Sequence, residues 1–323
     1  MPADLTKSLV IGISSRALFD MEAANQIFEE SGVTAYAEHQ LAHEQDVLQP
    51  GAGFALVDAI LRLNDMVDGH RPAEVVVMSR NSPATSYRLF NSIEHHKLDI
   101  QRAVLTGGSA LDKYLKAFSV DLYLSGHETD VRNAIEAGIP AAVIYPTSSE
   151  VADPHKGIRI AFDGDAVLFS DEAEKIYKAG GMEAFTDHER EEAQNPLPEG
   201  PFARLLRTLS ILQKDNAFDE PPIRTALVTA RSMPTHTRVL NTFRAWDLHV
   251  DEAFFMGGVD KTEVLRAFNP HIFFDDQDVH CDRASSVVST ARVPSDSRSN
   301  KTSKKKASRT KRAPKRSRKN GKK

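Results

Sequence analysis

Ile158-Arg159-Ile160-Ala161-Phe162-Asp163-Gly164-Asp165 reads as a short β-strand that runs straight into a pair of acids. Apart from Arg159 the strand is apolar on both faces, and strands of that kind belong to parallel sheets covered by helices on both sides. Working outward, residues 202–212 read as a helix, 226–228 as a second apolar strand and 235–246 as a helix. A strand over 252–256, another helix and a strand over 272–274 follow. Apolar strands alternating with helices define a Rossmann-like α/β unit.

The same order occurs once before. Leu9-Val10-Ile11-Gly12-Ile13 precedes a helix over 54–63, a strand over 75–78, a helix over 85–95, a strand over 102–106 and a strand over 122–124. Individual residues match as well as elements. Gly51 falls on Gly200 and His39 on His188 at an offset of 149, and Gln26-Ile27-Phe28 to Tyr36 lies over Lys175-Ile176-Tyr177 to Phe185. At an offset of 150, Val75–Ser79 lies over 225–229, Gly107-Gly108 over Gly257-Gly258, and Leu115-Lys116-Ala117-Phe118 over Leu265-Arg266-Ala267-Phe268. The order is kept while the offset barely drifts, so an internal duplication is expected. It gives two tandem Rossmann-like parallel-sheet halves, 6–148 and 156–294.

Charge separates a third region. Residues 296–323 carry 14 Lys and Arg against one acid, and 1–295 carries 27 basic against 44 acidic residues. No Leu, Ile, Val or aromatic residue follows Val293. Such a segment cannot bury enough apolar surface to fold, so 295–323 is expected to be a disordered basic tail that binds polyanions non-specifically. The single cysteine, Cys281, excludes an internal disulfide and a cysteine-based metal site. No apolar run approaches the roughly 20 residues of a membrane span. Met1–Ser8 lacks the pattern of a signal peptide, so a cytoplasmic location without membrane attachment is expected.

In doubly wound sheets the polar residues just past the carboxyl ends of the strands face the ligand crevice. In the second half these are Asp163 and Asp165, then Thr229, then Lys261 in the loop after the third strand, then Asp275-Asp276. Four acids on two strand ends suit a hard cation such as Mg²⁺, which takes oxygen ligands. A hydroxyl and a mobile ammonium on the same rim suit a phosphoryl group. Taken singly, an Asp-Gly-Asp run is a turn, Asp-Asp a helix cap and Lys261 a surface lysine. Their order, each after an apolar strand, is what points to chemistry.

The runs Phe162-Asp163-Gly164-Asp165-Ala166-Val167-Leu168-Phe169, Val228-Thr229-Ala230-Arg231, Lys261 and Phe273-Phe274-Asp275-Asp276 resemble the four motifs of the haloacid dehalogenase (HAD) phosphohydrolase superfamily. More closely, residues 7–294 resemble the cytosolic 5'-nucleotidase I family. Ser14-Ser15-Arg16-Ala17-Leu18-Phe19, Phe90-Asn91-Ser92-Ile93-Glu94-His95 and Thr106-Gly107-Gly108 look like segments of that family, as do the run from Ala161 to Glu172 and His271–Gln277. The resemblance implies a hydrolase of nucleoside 5'-monophosphates in which Asp163 becomes a transient aspartyl-phosphate. Asp165 would serve as acid and base, and Thr229 and Lys261 would neutralise phosphoryl oxygens. Asp163, Asp165 through its backbone carbonyl, and Asp275 or Asp276 would hold Mg²⁺. Arg231 also lies within reach of a phosphate, and the resemblance allows a nucleotide effector. Oligomeric state, and base and sugar preference, are left open.

At the matched positions the first half has Ser14 and Arg16 for the first two acids, Ser79 for Thr229 and Ser125-Gly126 for Asp275-Asp276. It is expected to bind no Mg²⁺ and form no aspartyl-phosphate. Ser14, Arg16, Ser79 and Asn81 are instead expected to contribute to substrate binding or regulation, either completing the nucleoside pocket or forming a second anion site. Two alternatives stay open at this point. One is a HAD phosphatase for another phosphomonoester, including a nucleic-acid end. The other is a non-catalytic nucleotide-binding regulator, against which the retained acids argue because they repel one another without a cation.

Overall fold

The computed structural model describes residues 5–146 and 157–295. The basic tail at 296–323, and most of the junction expected between the halves, lie outside these residues. The first half runs β1 (Leu9–Ile13), α1 (Ser15–Leu18), α2 (Glu22–Ala42), α3 (Phe54–Leu61), β2 (Ala73–Ser79), α4 (Tyr87–His95), β3 (Arg102–Leu105), α5 (Asp112–Ala117), β4 (Leu122–Ser125), α6 (Glu128–Glu136) and β5 (Ala141–Ile144). The second runs β6 (Ile158–Phe162), α7 (Glu172–Glu191), α8 (Ala203–Gln213), β7 (Ile223–Thr229), α9 (His236–Ala245), β8 (Glu252–Phe255), α10 (Thr262–Phe268), β9 (Ile272–Asp275), α11 (Asp278–Ala284) and β10 (Thr290–Arg292).

All ten strands form one sheet, ordered β3-β2-β1-β4-β5-β10-β9-β6-β7-β8. The two halves repeat one strand order. Every pairing is parallel except that of β5 with β10, which join the halves antiparallel. The short strands β5 and β10 were not anticipated, and they turn two sheets into one. Other features recur at matched places. The long helices α2 and α7 are both broken by a glycine with positive φ, Gly32 (80°) and Gly181 (75°). Gly107-Gly108 and Gly257-Gly258 share the left-handed region.

Alternate residues of each strand face opposite sides of the sheet. On one side Leu9, Ile11 and Ile13 of β1 and Ile158, Ile160 and Phe162 of β6 enter a single core with residues of α3, α4, α8 and α9. On the other side Val10 and Ala161 belong to two separate clusters, under α5 and α6 in the first half and α10 and α11 in the second. The halves therefore share one core face and divide the other.

The antiparallel junction decides where the sites can be. Ser125, Val143, Arg292 and Asp275 are consecutive register partners across four strands. The strands of the two halves point in opposite directions and their carboxyl ends meet at this row, where Ser125 ends β4 and Asp275 ends β9, so the two crevices face opposite ways along the strands from the same level. β1 and β6 are five strand spacings apart, about 24 Å at the usual inter-strand distance. Arg292 bridges the halves, reaching Glu128 at the start of α6 (2.9 Å) and Asp278 at the start of α11 (2.8 Å).

The matched glycines Gly51 and Gly200 close equivalent turns, with their N–H groups donating to Leu18 and Leu168 carbonyls at 2.9 Å. A Cβ on Gly51 would lie 2.8 Å from the Phe19 carbonyl carbon, and one on Gly200 would collide with the Phe169 and Val167 carbonyl oxygens. Backbone cannot yield as a flexible side chain does. Gly200→Ala and Gly51→Ala are each expected to lower unfolding free energy by about 3 kcal/mol. Urea denaturation checks this, and a loss under about 1 kcal/mol would mean that the turns relax at little cost.

Candidate active site

β6 delivers Asp163 at its carboxyl end, where the Asp163 N–H donates to the Phe274 carbonyl of β9 at 2.7 Å. Gly164 must be small, because a Cβ there would sit 3.2 Å from Thr229 Oγ1 and 3.4 Å from the Phe169 ring. That approach sets the Asp163–Asp165 turn against the end of β7. Asp163, Thr229, Lys261, Asp275 and Asp276 are all buried, at 6%, 1%, 6%, 0% and 3% exposure.

Lys261, the residue before α10, is the centre of the arrangement. Its Nζ donates to Asp163 Oδ1 at 2.7 Å and to Asp275 Oδ2 at 2.6 Å. Asp275 is further held by the Gln277 N–H on Oδ1 (2.8 Å), and its Oδ2 lies 3.1 Å from His280 Nδ1. Ser295 Oγ donates to Asp276 Oδ2 at 3.3 Å, so any truncation that removes the basic tail must keep Ser295. One oxygen from each of Asp163, Asp275 and Asp276 lies within 4.8 Å of the others. Three hard oxygen donors converging in a buried pocket fit a divalent cation. Asp165's carboxylate is not part of that trio, which leaves its backbone carbonyl as the atom it can offer.

The electrostatics separate the acids. Burial raises the Asp163 carboxyl to about 6, against the pull of Lys261 and helped by the charge of Asp275. Asp275 is also desolvated, yet Lys261 and His280 hold it below the usual carboxylate range. Burial alone would lower Lys261, but Asp163 and Asp275 raise it further. Asp275 thus keeps its charge more firmly than Asp163.

The remaining second-half residues form a network beside this cluster. Arg231 places its Nε and Nη2 on the two oxygens of Asp165, at 2.8 and 2.7 Å. Its Nη1 donates to Glu189 of α7. Arg231 is 4% exposed, so its charge is committed to these acids. Glu189 and His280 escaped the sequence reading as site residues. Glu189 sits in the run Asp187-His188-Glu189-Arg190-Glu191-Glu192, which looks like a solvated helix face. His280 lies within α11, and its contact with Asp275 arises only from the turn that joins β9 to that helix.

The first-half residues do not join this crevice. Ser14 caps α1 by accepting the Ala17 N–H at 3.2 Å, and Ser15 Oγ lies 3.2 Å from Ser79 Oγ. Ser79 also accepts the Asn81 N–H at 3.1 Å. Arg16 pairs with Glu22 at 2.7 and 2.8 Å, and Arg80 with Asp130. These groups lie just past the carboxyl ends of β1 and β2, five and six strand spacings from β6. The matched crevice contains no acid in place of Asp163, Asp275 or Asp276.

A family model described as 5'-nucleotidase matches residues 1–300. The chain belongs to the 5'-nucleotidase family. Cytosolic 5'-nucleotidase 1B of Homo sapiens is 39% identical over 300 residues, covering 90% of this chain and 49% of that protein. The chain thus spans about half the length of this curated relative. No solved structure matches it. As a 5'-nucleotidase family member it places the buried Asp163, Lys261, Asp275 and Asp276 at the carboxyl ends of β6 and β9 and in the loop leading into α10. Among the described residues no helix is long and apolar enough to cross a membrane.

Proposed function

We propose that this chain is a Mg²⁺-dependent 5'-nucleotidase that hydrolyses nucleoside 5'-monophosphates to nucleoside and phosphate through an aspartyl-phosphate on Asp163. The observation that carries the reading is the buried contact of Lys261 with both Asp163 and Asp275 beside Asp276 and Thr229. A carboxylate nucleophile, an ammonium and a hydroxyl donor at one strand-end crevice make a phosphoryl-transfer site. Asp163 attacks phosphorus, and the bond to the ribose 5'-oxygen breaks. Asp165 donates the proton that the leaving oxygen needs. A water then attacks the phosphorus, gives its proton to Asp165 and frees Asp163. Thr229 and Lys261 hold the phosphoryl oxygens during both steps. Mg²⁺, held by Asp163, Asp275 and Asp276 with the Asp165 carbonyl, would neutralise charge developing on those oxygens.

The strand order and matched glycines support descent of the two halves from a duplication, with 156–294 catalytic and 6–148 a degenerate copy. The first-half crevice, lined by Ser14, Arg16, Ser79 and Asn81, is then a candidate for a nucleotide effector and not for the substrate. The relative's description as cytosolic supports a cytoplasmic location. Phosphate release from a panel of nucleoside monophosphates, with and without Mg²⁺, tests the function. Release that is absent throughout, or indifferent to chelation, would refute it.

Metal binding should depend on pH in a defined direction. In the metal-free protein the raised Asp163 favours its neutral form, so its contribution to stability is present below 3.8 and is lost as pH rises through about 6. Mg²⁺ requires the ionised form and must displace a proton below that range. The rise in melting temperature on adding Mg²⁺ is therefore expected to be larger at pH 7.5 than at pH 5, and Asp163→Asn should remove most of the difference. Equal shifts at both pH values in the unaltered protein would contradict it.

A further inference from the structure

Glu189 lies at the inner end of α7, 1% exposed, in a buried chain of charges. One of its oxygens accepts from Arg231 and the other from Arg238 of α9 at 2.8 Å. Arg231 then presents its planar fork to both oxygens of Asp165, with the Phe185 ring 5.4 Å from its guanidinium carbon. A two-point grip of this kind fixes the plane of a carboxylate, which a point charge does not.

The first half supplies an internal comparison. At the offsets of 149 and 150 that align the two halves, Asp165, Phe185, Glu189 and Arg231 correspond to Arg16, Tyr36, Gln40 and Asn81. Gln40 is as buried as Glu189, at 2%. The fold therefore accommodates a neutral residue of the same size at that place on the helix. A buried carboxylate is costly unless paired, and removing one partner strands the other. Only the half that retains Asp163, Asp165, Asp275 and Asp276 keeps Glu189 and Arg231, which change together with Asp165 in the other half, while Arg238 has an arginine, Arg88, at the matched place. If Glu189 served only to hold α7 against the sheet, the first half would have the same need.

We propose that Glu189 is a positioning residue for the reaction. By holding Arg231 it keeps the fork against one oxygen of Asp165 while the other, released from Arg231, carries the proton toward the leaving oxygen. This rests on the reading of Asp165 as the acid and base. The role is confined to one bond event. As the Asp163 oxygen forms its bond to phosphorus, the P–O bond to the ribose breaks and its electron pair goes to the 5'-oxygen, which takes the proton from Asp165. An alkoxide needs that proton, whereas a thiolate leaves without it.

The test compares kcat/KM for the nucleoside 5'-monophosphate turned over fastest with that for the same nucleotide carrying sulfur at the bridging 5'-position. Glu189→Gln is expected to lower kcat/KM about 10²-fold for the oxygen substrate and by less than about threefold for the sulfur substrate. Arg231→Lys keeps the charge but loses the fork, and it should show the same selective loss; it decides the matter if Glu189→Gln fails to fold. Equal losses on both substrates, or no loss on either, would overturn the proposal. If the unaltered protein releases phosphate from no nucleotide, or Asp163→Asn remains active, the proposed function itself fails and this role falls with it. A uniform loss against a working unaltered enzyme removes the Glu189 role alone.

Discussion

Asp163→Asn is expected to abolish phosphate release, lowering kcat on the order of 10⁴-fold or more, because removal of a covalent nucleophile leaves only binding and electrostatic stabilisation. The substitution keeps size and shape, and Asn can still accept the Lys261 proton that Asp163 Oδ1 accepts at 2.7 Å. The variant should therefore fold. It should also lose the stability penalty of a buried carboxyl raised to about 6, so its melting temperature at neutral pH without metal should match or exceed that of the parent. An inactive but stable protein separates chemistry from structure. Retained turnover would refute the nucleophile, and an unfolded variant would show that Asp163 has a structural role unlike the one described.

Lys261→Met should have the second largest effect, and on two quantities at once. The ammonium is the shared partner of Asp163 and Asp275, both buried. Removing one member of a buried ion cluster leaves uncompensated charge, typically at a cost of about 3–5 kcal/mol. Metal-free Lys261→Met should thus be destabilised by about that amount at neutral pH, and Mg²⁺ should recover part of it. Loss of a donor to the phosphoryl oxygens should lower kcat by about 10²-fold to 10³-fold. Urea denaturation with and without Mg²⁺, together with steady-state kinetics, measures both. A variant of normal stability would contradict the buried bridge, whatever its activity.

These two residues also show what the sequence makes legible. Apolar runs such as Leu9–Ile13 and Ile158–Phe162 announce buried parallel strands, because continuous hydrophobicity over five residues has few other uses. Polar residues directly after them mark the crevice, which is how Asp163, Thr229 and Asp275-Asp276 stand out. Lys261 is marked only by its order among those motifs. A lysine in a loop carries no local sign that it will be buried, and three-dimensional convergence with Asp163, 98 positions earlier, supplies that.

The junction was hidden for a different reason. β5 is four residues of Ala, Val and Ile, and β10 is only Thr290-Ala291-Arg292. Neither has a period to read, and their antiparallel pairing joins segments about half the chain apart. Yet that one pairing runs the strands of the two halves in opposite directions and sets β1 and β6 five strand spacings apart. The Glu189–Arg231–Asp165 chain was hidden by composition. In a run of charged residues one buried glutamate looks like its solvated neighbours, and only the comparison with Gln40 distinguishes it.

The central claim is a covalent bond between Asp163 and the substrate's phosphorus. A rapid acid quench during turnover of a nucleoside 5'-monophosphate with labelled phosphate, followed by peptide mapping, tests it most directly. The label is expected on the peptide containing Asp163, dependent on Mg²⁺ and absent from Asp163→Asn. Turnover without any labelled peptide, or label on a different residue, would contradict it.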